Sequence, residues 1–264
     1  MFKITKKLKK IYDETKKSSI LVYITLRLLV IFCMIRQLLR QDFNGAFLCV
    51  LSLILFMIPS IIQKRFKIEL PNVLEIIIYL FIYSAEILGE IYNFYGNIPN
   101  WDTMVHTING FLCAGIGFSL VELLNENSKK ISLSPLYVAI VAFCFSMTVG
   151  VLWEFFEYTA DRVLYLDMQK DTIINKISTV ELDTTKSNKA ITIKDIDKTV
   201  LYDKEGNILT TIENGYLDIG LNDTMKDLFV NLIGATTYSV LGYFYIKNKD
   251  KYKFAENFIP IKNK

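Results

Sequence analysis

Six apolar stretches, each long enough to cross a hydrocarbon layer, run through this chain of 264 residues. A helix rises about 1.5 Å per residue, so roughly 20 apolar residues span a bilayer core about 30 Å thick. The stretches are Ile20–Leu39, Phe43–Ile62, Leu70–Phe94, Trp101–Leu124, Ser134–Tyr158 and Asp223–Ile246. Within them Leu51–Ile58 and Ile76–Ile82 are apolar on every face, whereas a helix buried in a soluble core shows a one-sided period. A hydrophobic content of 52% agrees with that reading. The expected fold is an all-α polytopic membrane protein of six transmembrane helices, with a small β-containing insert outside the cytoplasm between helices five and six.

Lysine placement orients it. Met1–Ser19 holds seven Lys, Lys64, Arg65 and Lys67 separate spans two and three, Lys129 and Lys130 separate spans four and five, and six Lys follow span six. An even number of crossings puts all four groups on one face, which the positive-inside rule assigns to the cytoplasm. The net charge of +3 follows from this asymmetry and gives no argument for a nucleic-acid partner. The expected segments are a basic cytoplasmic tail over 1–19, transmembrane helices one to five within 20–158, an extracytoplasmic insert over 159–222, helix six over 223–246 and a second basic cytoplasmic tail over 247–264. The first tail and span read together as a retained signal-anchor whose lysines face anionic lipid. Cys33, Cys49, Cys113 and Cys144 fall within spans and read as small packing residues.

The insert is the one stretch with soluble character. Thr199–Asp203 and Asn207–Ile212 alternate polar and apolar residues around Lys204, Glu205 and Gly206, the pattern of a β-hairpin. Ala190–Ile193 is a further candidate strand and Thr184–Lys189 a loop. So small a sheet is expected to rest on the outer mouth of the helices as a lid or docking surface.

Charge inside a bilayer is costly and marks functional sites. Asp102 and His106, the only histidine, stand four apart at the start of span four and share one helical face. Asp102 could also serve the helix N-terminus, and His106 an interhelical hydrogen bond. Near the end of span five Glu154, Glu157 and Asp161 share a face. Glu154 sits short of the span's end, while Glu157 and Asp161 read as interfacial with Arg162 as partner. In span six Asp223, Asp227 and Asn231 recur every four residues; Asp223 reads equally as a helix cap. Span three adds Glu86 and Glu90, and span one Arg36 at similar depth. Glu75 and Glu122 lie in the cytoplasmic half, with Arg27 as a candidate counter-charge. So many carboxylates need protonation, pairing with Arg36 or His106, or a bound divalent cation. No established metal motif is present.

Trp101-Asp102-x-x-x-His106, the block Trp153-Glu154-Phe155-Phe156-Glu157-Tyr158, and Asn222-Asp223-Thr224-Met225-Lys226-Asp227 with Gly234-Ala235 resemble the YjdF-like family of bacterial inner-membrane proteins. Its members pair an Asp-x-x-x-His helix with a Glu-x-x-Glu helix and an Asp-Thr-x-x-Asp helix. The same order is more distantly similar to VanZ-like proteins, linked with resistance to a lipoglycopeptide antibiotic. The resemblance implies a multi-pass bacterial plasma-membrane protein whose shared polar set is Asp102, His106, Glu154, Asp227 and Asn231, with Glu157 and Asp223. It assigns no reaction. The long insert departs from the YjdF-like pattern.

Two function classes follow. In the first, an envelope lipid or glycolipid, or another amphipathic molecule, is bound or processed in the outer leaflet. His106 is then general acid or base, Asp102 orients it, and Glu154 and Asp227 hold a cation or head group. In the second, a proton- or cation-coupled carrier uses the same carboxylates as an ion path. A packing-only module is the third alternative.

Overall fold

The computed structural model describes residues 2–127 and 133–262. The expected Lys129–Lys130 pair and Lys264 lie outside them. Helices dominate, and among the described residues five are long and apolar enough to cross a membrane: Ser18–Leu39, Phe43–Phe66, Trp101–Glu122, Pro135–Leu164 and Leu221–Lys247. The chain divides into two compact units, one of residues 1–152 and 227–264, the other of residues 153–226.

In the first unit, helix α1 (Phe2–Leu39) begins far ahead of the apolar run, so the expected tail 1–19 is helical from its second residue. Helix α2 (Phe43–Leu55) starts at Asp42, whose carboxylate accepts from the Gly45 backbone N–H at 2.9 Å and the Gln37 side-chain amide at 2.7 Å. A break at Phe56–Met57 precedes α3 (Ile58–Phe66), with Pro59 in its first turn where a missing N–H costs nothing. Lys67, left-handed at φ 53°, ends it.

The expected third span forms differently. Helix α4 (Asn72–Ile82) runs directly into a π-helix over Tyr83–Ile91, so Leu70–Phe94 is not one long α-helix. The wider winding closes with Tyr92 N–H donating to Ile87 C=O, and the indole of Trp101 donates to Ser84 C=O at 3.3 Å. At Gly89 a Cβ would fall 2.3 Å from the Tyr95 ring, so the bare backbone lets that ring close over the π-helix. A short helix α5 (Phe94–Asn97) then leads to α6 (Trp101–Asn127).

Helices α7 (Pro135–Leu164) and α8 (Leu221–Lys247) carry the remaining long apolar runs. Packing against α6 is by small residues. A Cβ on Gly110 would lie 2.1 Å from the Asn231 carbonyl oxygen, and one on Gly234 2.0 Å from that of Thr107. These close approaches are made within one molecule. Ser146 of α7 donates to Gly110 C=O at 2.8 Å. Ala114, Phe118, Val138, Ala142 and Ala235 are fully buried around this junction. Leu28, Phe32, Leu136 and Phe229 are exposed, as lipid-facing residues are.

The segment after α8 is more than a basic tail. It forms a 3₁₀ helix over Lys253–Phe258 that buries Ala255, and a strand Ile261–Lys262 that pairs antiparallel with Ile68–Glu69. The β-structure is therefore not confined to the insert, as the sequence led us to expect. Lys249 reaches Glu122 at 3.6 Å. Arg27 instead turns to Tyr23, while Glu75 accepts from Gln63 and Tyr79, which corrects the counter-charge assigned to Arg27.

In the second unit, helix α7 extends past the expected boundary to Leu164. Antiparallel pairs join Ile173–Ile174 to Tyr216–Leu217, Ile177–Thr179 to Ile191–Ile193, and Lys198–Tyr202 to Ile208–Glu213. The last is the expected hairpin, turned by Gly206 at φ 88°, and Asp203 ties the turn by accepting from Glu205 and Asn207. The Thr184–Lys189 loop wraps Asp183, which accepts from Thr185, Ser187 and Lys189. Those hydrogen bonds hold its carboxyl well below the usual carboxylate range.

Candidate functional site

Asp102 and His106 occupy the first two turns of α6, and Asp227 enters beside them from the second turn of α8. The helical four-residue spacing puts Asp102 Oδ1 3.5 Å from His106 Nε2. Asp227 Oδ2 approaches the same nitrogen, also at 3.5 Å. One candidate ligand atom from each residue lies within 4.8 Å of the other two, and these three could hold a metal ion. Asp227 is 2% exposed and His106 9%, so the cluster is largely closed from solvent.

One turn further in, Asn109 donates from Nδ2 to Asn231 Oδ1 at 3.3 Å, linking the same two helices. Asn231 reaches Met147 Sδ from its own amide, and Cys113 donates to Asn109 Oδ1 at 3.5 Å. A Cβ on Gly150 would lie 2.8 Å from Asn231 Nδ2, so α7 too is glycine where it meets this side chain. The two Gly contacts hold the α6 and α8 backbones close enough for Asp227 to reach a histidine on another helix. Asn109 was not among the expected site residues. Its signal was its position, seven residues after Asp102 on the same face.

The first unit holds further expected residues. Glu86, 3% exposed, and Glu90 lie on the π-helix outside the Asp102–His106–Asp227 group. The Glu86 Oε2 atom has no hydrogen-bond partner among the described residues. Arg36 donates to the Tyr92 hydroxyl at 3.2 Å and lies over its ring, so among the described residues its partner is a tyrosine and not a carboxylate.

Glu154, Glu157 and Asp223 belong to the second unit. Glu154 is 5% exposed; Glu157 accepts from the Trp153 indole at 2.7 Å. Asp161 accepts from the backbone of Met168 and Gln169, which ends α7 without drawing on Arg162; that guanidinium lies over the Tyr158 ring. Asp223 accepts from the Lys170 backbone at 2.9 Å. The N-terminus of α8 is organised by Asp218, which the sequence reading passed over. Its carboxylate accepts from Thr172, Gly220 and Asn222. Burial alone would raise its pKa, but these donors outweigh it and bring it to about 2. The Asp-x-Gly just ahead of an apolar helix was the available signal.

Residues 19–248 match the family model described as a predicted membrane protein, DUF2238. The chain belongs to this family. It is the family to which the YjdF-like motif blocks pointed, and the matches do not extend to VanZ-like proteins. An uncharacterized protein of Thermotoga maritima is 27% identical over 106 residues, which is 40% of this chain. The match covers 53% of that relative, about half of its length. No solved structure matches.

Proposed function

We propose that this protein crosses a bacterial plasma membrane six times, with both termini cytoplasmic, and binds the polar head group of an envelope lipid-linked or amphipathic molecule at Asp102, His106 and Asp227. Six crossings are supported within the first unit. Ile68–Glu69, after α3, pairs with the strand that follows α8, and Glu122 of α6 meets Lys249 there as well. Trp101, at the opposite end of α6, is tied to Ser84 of the π-helix. The Asn72–Ile91 segment therefore runs from one end of α6 to the other. The lysines at the Glu122 end then make that face cytoplasmic, and the triad faces outward.

The observation that carries the reading is the pair of 3.5 Å approaches from two helices to one imidazole nitrogen. A histidine held between two carboxylates can take a proton from a head-group hydroxyl or return one. Asn231, joined to Asn109 one turn along the same two helices, is the further binding residue of this polar set.

The carrier alternative draws on the Asn109–Asn231 pair, which continues the polar path inward. Immediately beyond it the backbones of α6 and α8 touch at Gly110 and Gly234. Close main-chain contact leaves no room for an ion there, which favours binding or processing over conduction.

Mass spectrometry of lipids retained by the detergent-purified protein tests the proposal. An amphipathic molecule should copurify with the natural chain and fall at least about tenfold with His106→Gln or Asp227→Asn at unchanged thermal stability. Identical lipid profiles in all three would refute it.

A further inference from the structure

We infer that Asp102, His106 and Asp227 form a divalent metal site, with zinc the best fit and one coordination position left open for an oxygen of the bound head group. This rests on the outward-facing site proposed above and deepens it.

The geometry is that of ligands converging on a point. In a hydrogen-bonded Asp–His–Asp chain each carboxylate would face its own ring nitrogen at about 2.7–3.2 Å. Here both carboxylates face Nε2, each at 3.5 Å, beyond that range. A single Nε2–H cannot serve two acceptors well. Zn–N and Zn–O bonds of about 2.0–2.2 Å on tetrahedral angles separate neighbouring ligand atoms by roughly 3.4 Å. The two edges to Nε2 already have that length, and one candidate ligand atom of each residue lies within 4.8 Å of the others.

Charge and coordination number point the same way. Two carboxylates with a neutral imidazole balance the charge of a divalent ion. Three protein ligands are too few for calcium, which takes six to eight oxygens. One nitrogen and two oxygens with an open fourth position is the arrangement of a zinc site that accepts a substrate oxygen. The ligands come from two helices held in register by the Gly110 and Gly234 contacts, so the site is preformed.

Metal analysis of tag-free protein purified without chelator should find about one zinc per chain, falling below one tenth in Asp102→Asn, His106→Gln and Asp227→Asn. Glu75→Gln, whose side chain bonds Gln63 and Tyr79, should keep it. Because a variant can fail by unfolding, the natural chain is also stripped and titrated. Added Zn²⁺ should raise its melting temperature by several degrees. Added Co²⁺ should give the intense visible bands of a four-coordinate ion. A stripped chain that shows neither response overturns the inference. Retention of a head-group ligand by metal-free protein would refute the metal site alone. Stoichiometric zinc with no amphipathic ligand would instead support the metal site and refute the lipid reading.

Discussion

Gly110→Ala tests the packing that positions Asp227. The added Cβ would sit 2.1 Å from the Asn231 carbonyl oxygen, 2.9 Å from its carbon and 3.0 Å from its Cα. All three are backbone atoms of α8, so no rotamer change relieves the clash. Reaching an ordinary contact of roughly 3.4 Å requires the helices to separate locally by about 1.3 Å. Overpacking of this kind costs about 1–3 kcal/mol. It also stretches the Asn109–Asn231 hydrogen bond, now 3.3 Å. Asp227 is one turn from Asn231 and moves with it. A misplacement near 1 Å at a reacting group costs about a hundredfold in rate, so the His106–Asp227 site should weaken along with the fold. Thermal unfolding in detergent, with zinc titration alongside, reads both effects. Gly115→Ala is the internal control, because the atoms nearest its Cβ would belong to the Tyr238 side chain, the first at 3.0 Å, and not to a backbone, so it should cost less than Gly110→Ala. Gly234→Ala strains the same interface, so the double variant should lose less than the sum of the singles. If Gly110→Ala is as stable as the natural chain, the close-approach argument fails.

Two further outcomes follow from the structure. Asp218 has a folded pKa of about 2 against 3.8 ordinarily, so its contribution is full above roughly pH 4 and vanishes as the pH falls toward 2. Pepsin should therefore cut residues 165–220 increasingly over that interval, and Asp218→Asn should already be more readily cut at pH 4; equal susceptibility would remove the assigned role. For Glu86, buried with an oxygen that has no hydrogen-bond partner among the described residues, the neutral isostere Glu86→Gln should hold or raise the melting temperature, whereas Glu86→Lys should prevent accumulation in the membrane. A loss above about 2 kcal/mol in the glutamine variant would show that the carboxylate itself supports the fold.

Much of the helical layout was legible because a bilayer punishes any other use of twenty apolar residues. The hairpin was legible too, since period-two alternation around a Gly-containing turn has few other solutions. The π-helix was not. Tyr83–Ile91 has the composition of ordinary helix, and its wider winding is seen only where Gly89 meets Tyr95 and Ser84 meets Trp101. The pairing of Ile261–Lys262 with Ile68–Glu69 was equally hidden, because two-residue strands far apart in the chain leave no periodic trace.

By itself the sequence determined that this chain is a multi-pass membrane protein, and that Asp102 and His106 share a face, because a four-residue helical spacing allows nothing else. Only the tertiary structure decided that Asp227, more than a hundred residues later, completes that face while Glu86 and Arg36 do not join it. Sequence spacing reports angles around one helix axis. The distance between two helices is set by which backbones can touch, here at Gly110 and Gly234, where no side chain keeps them apart.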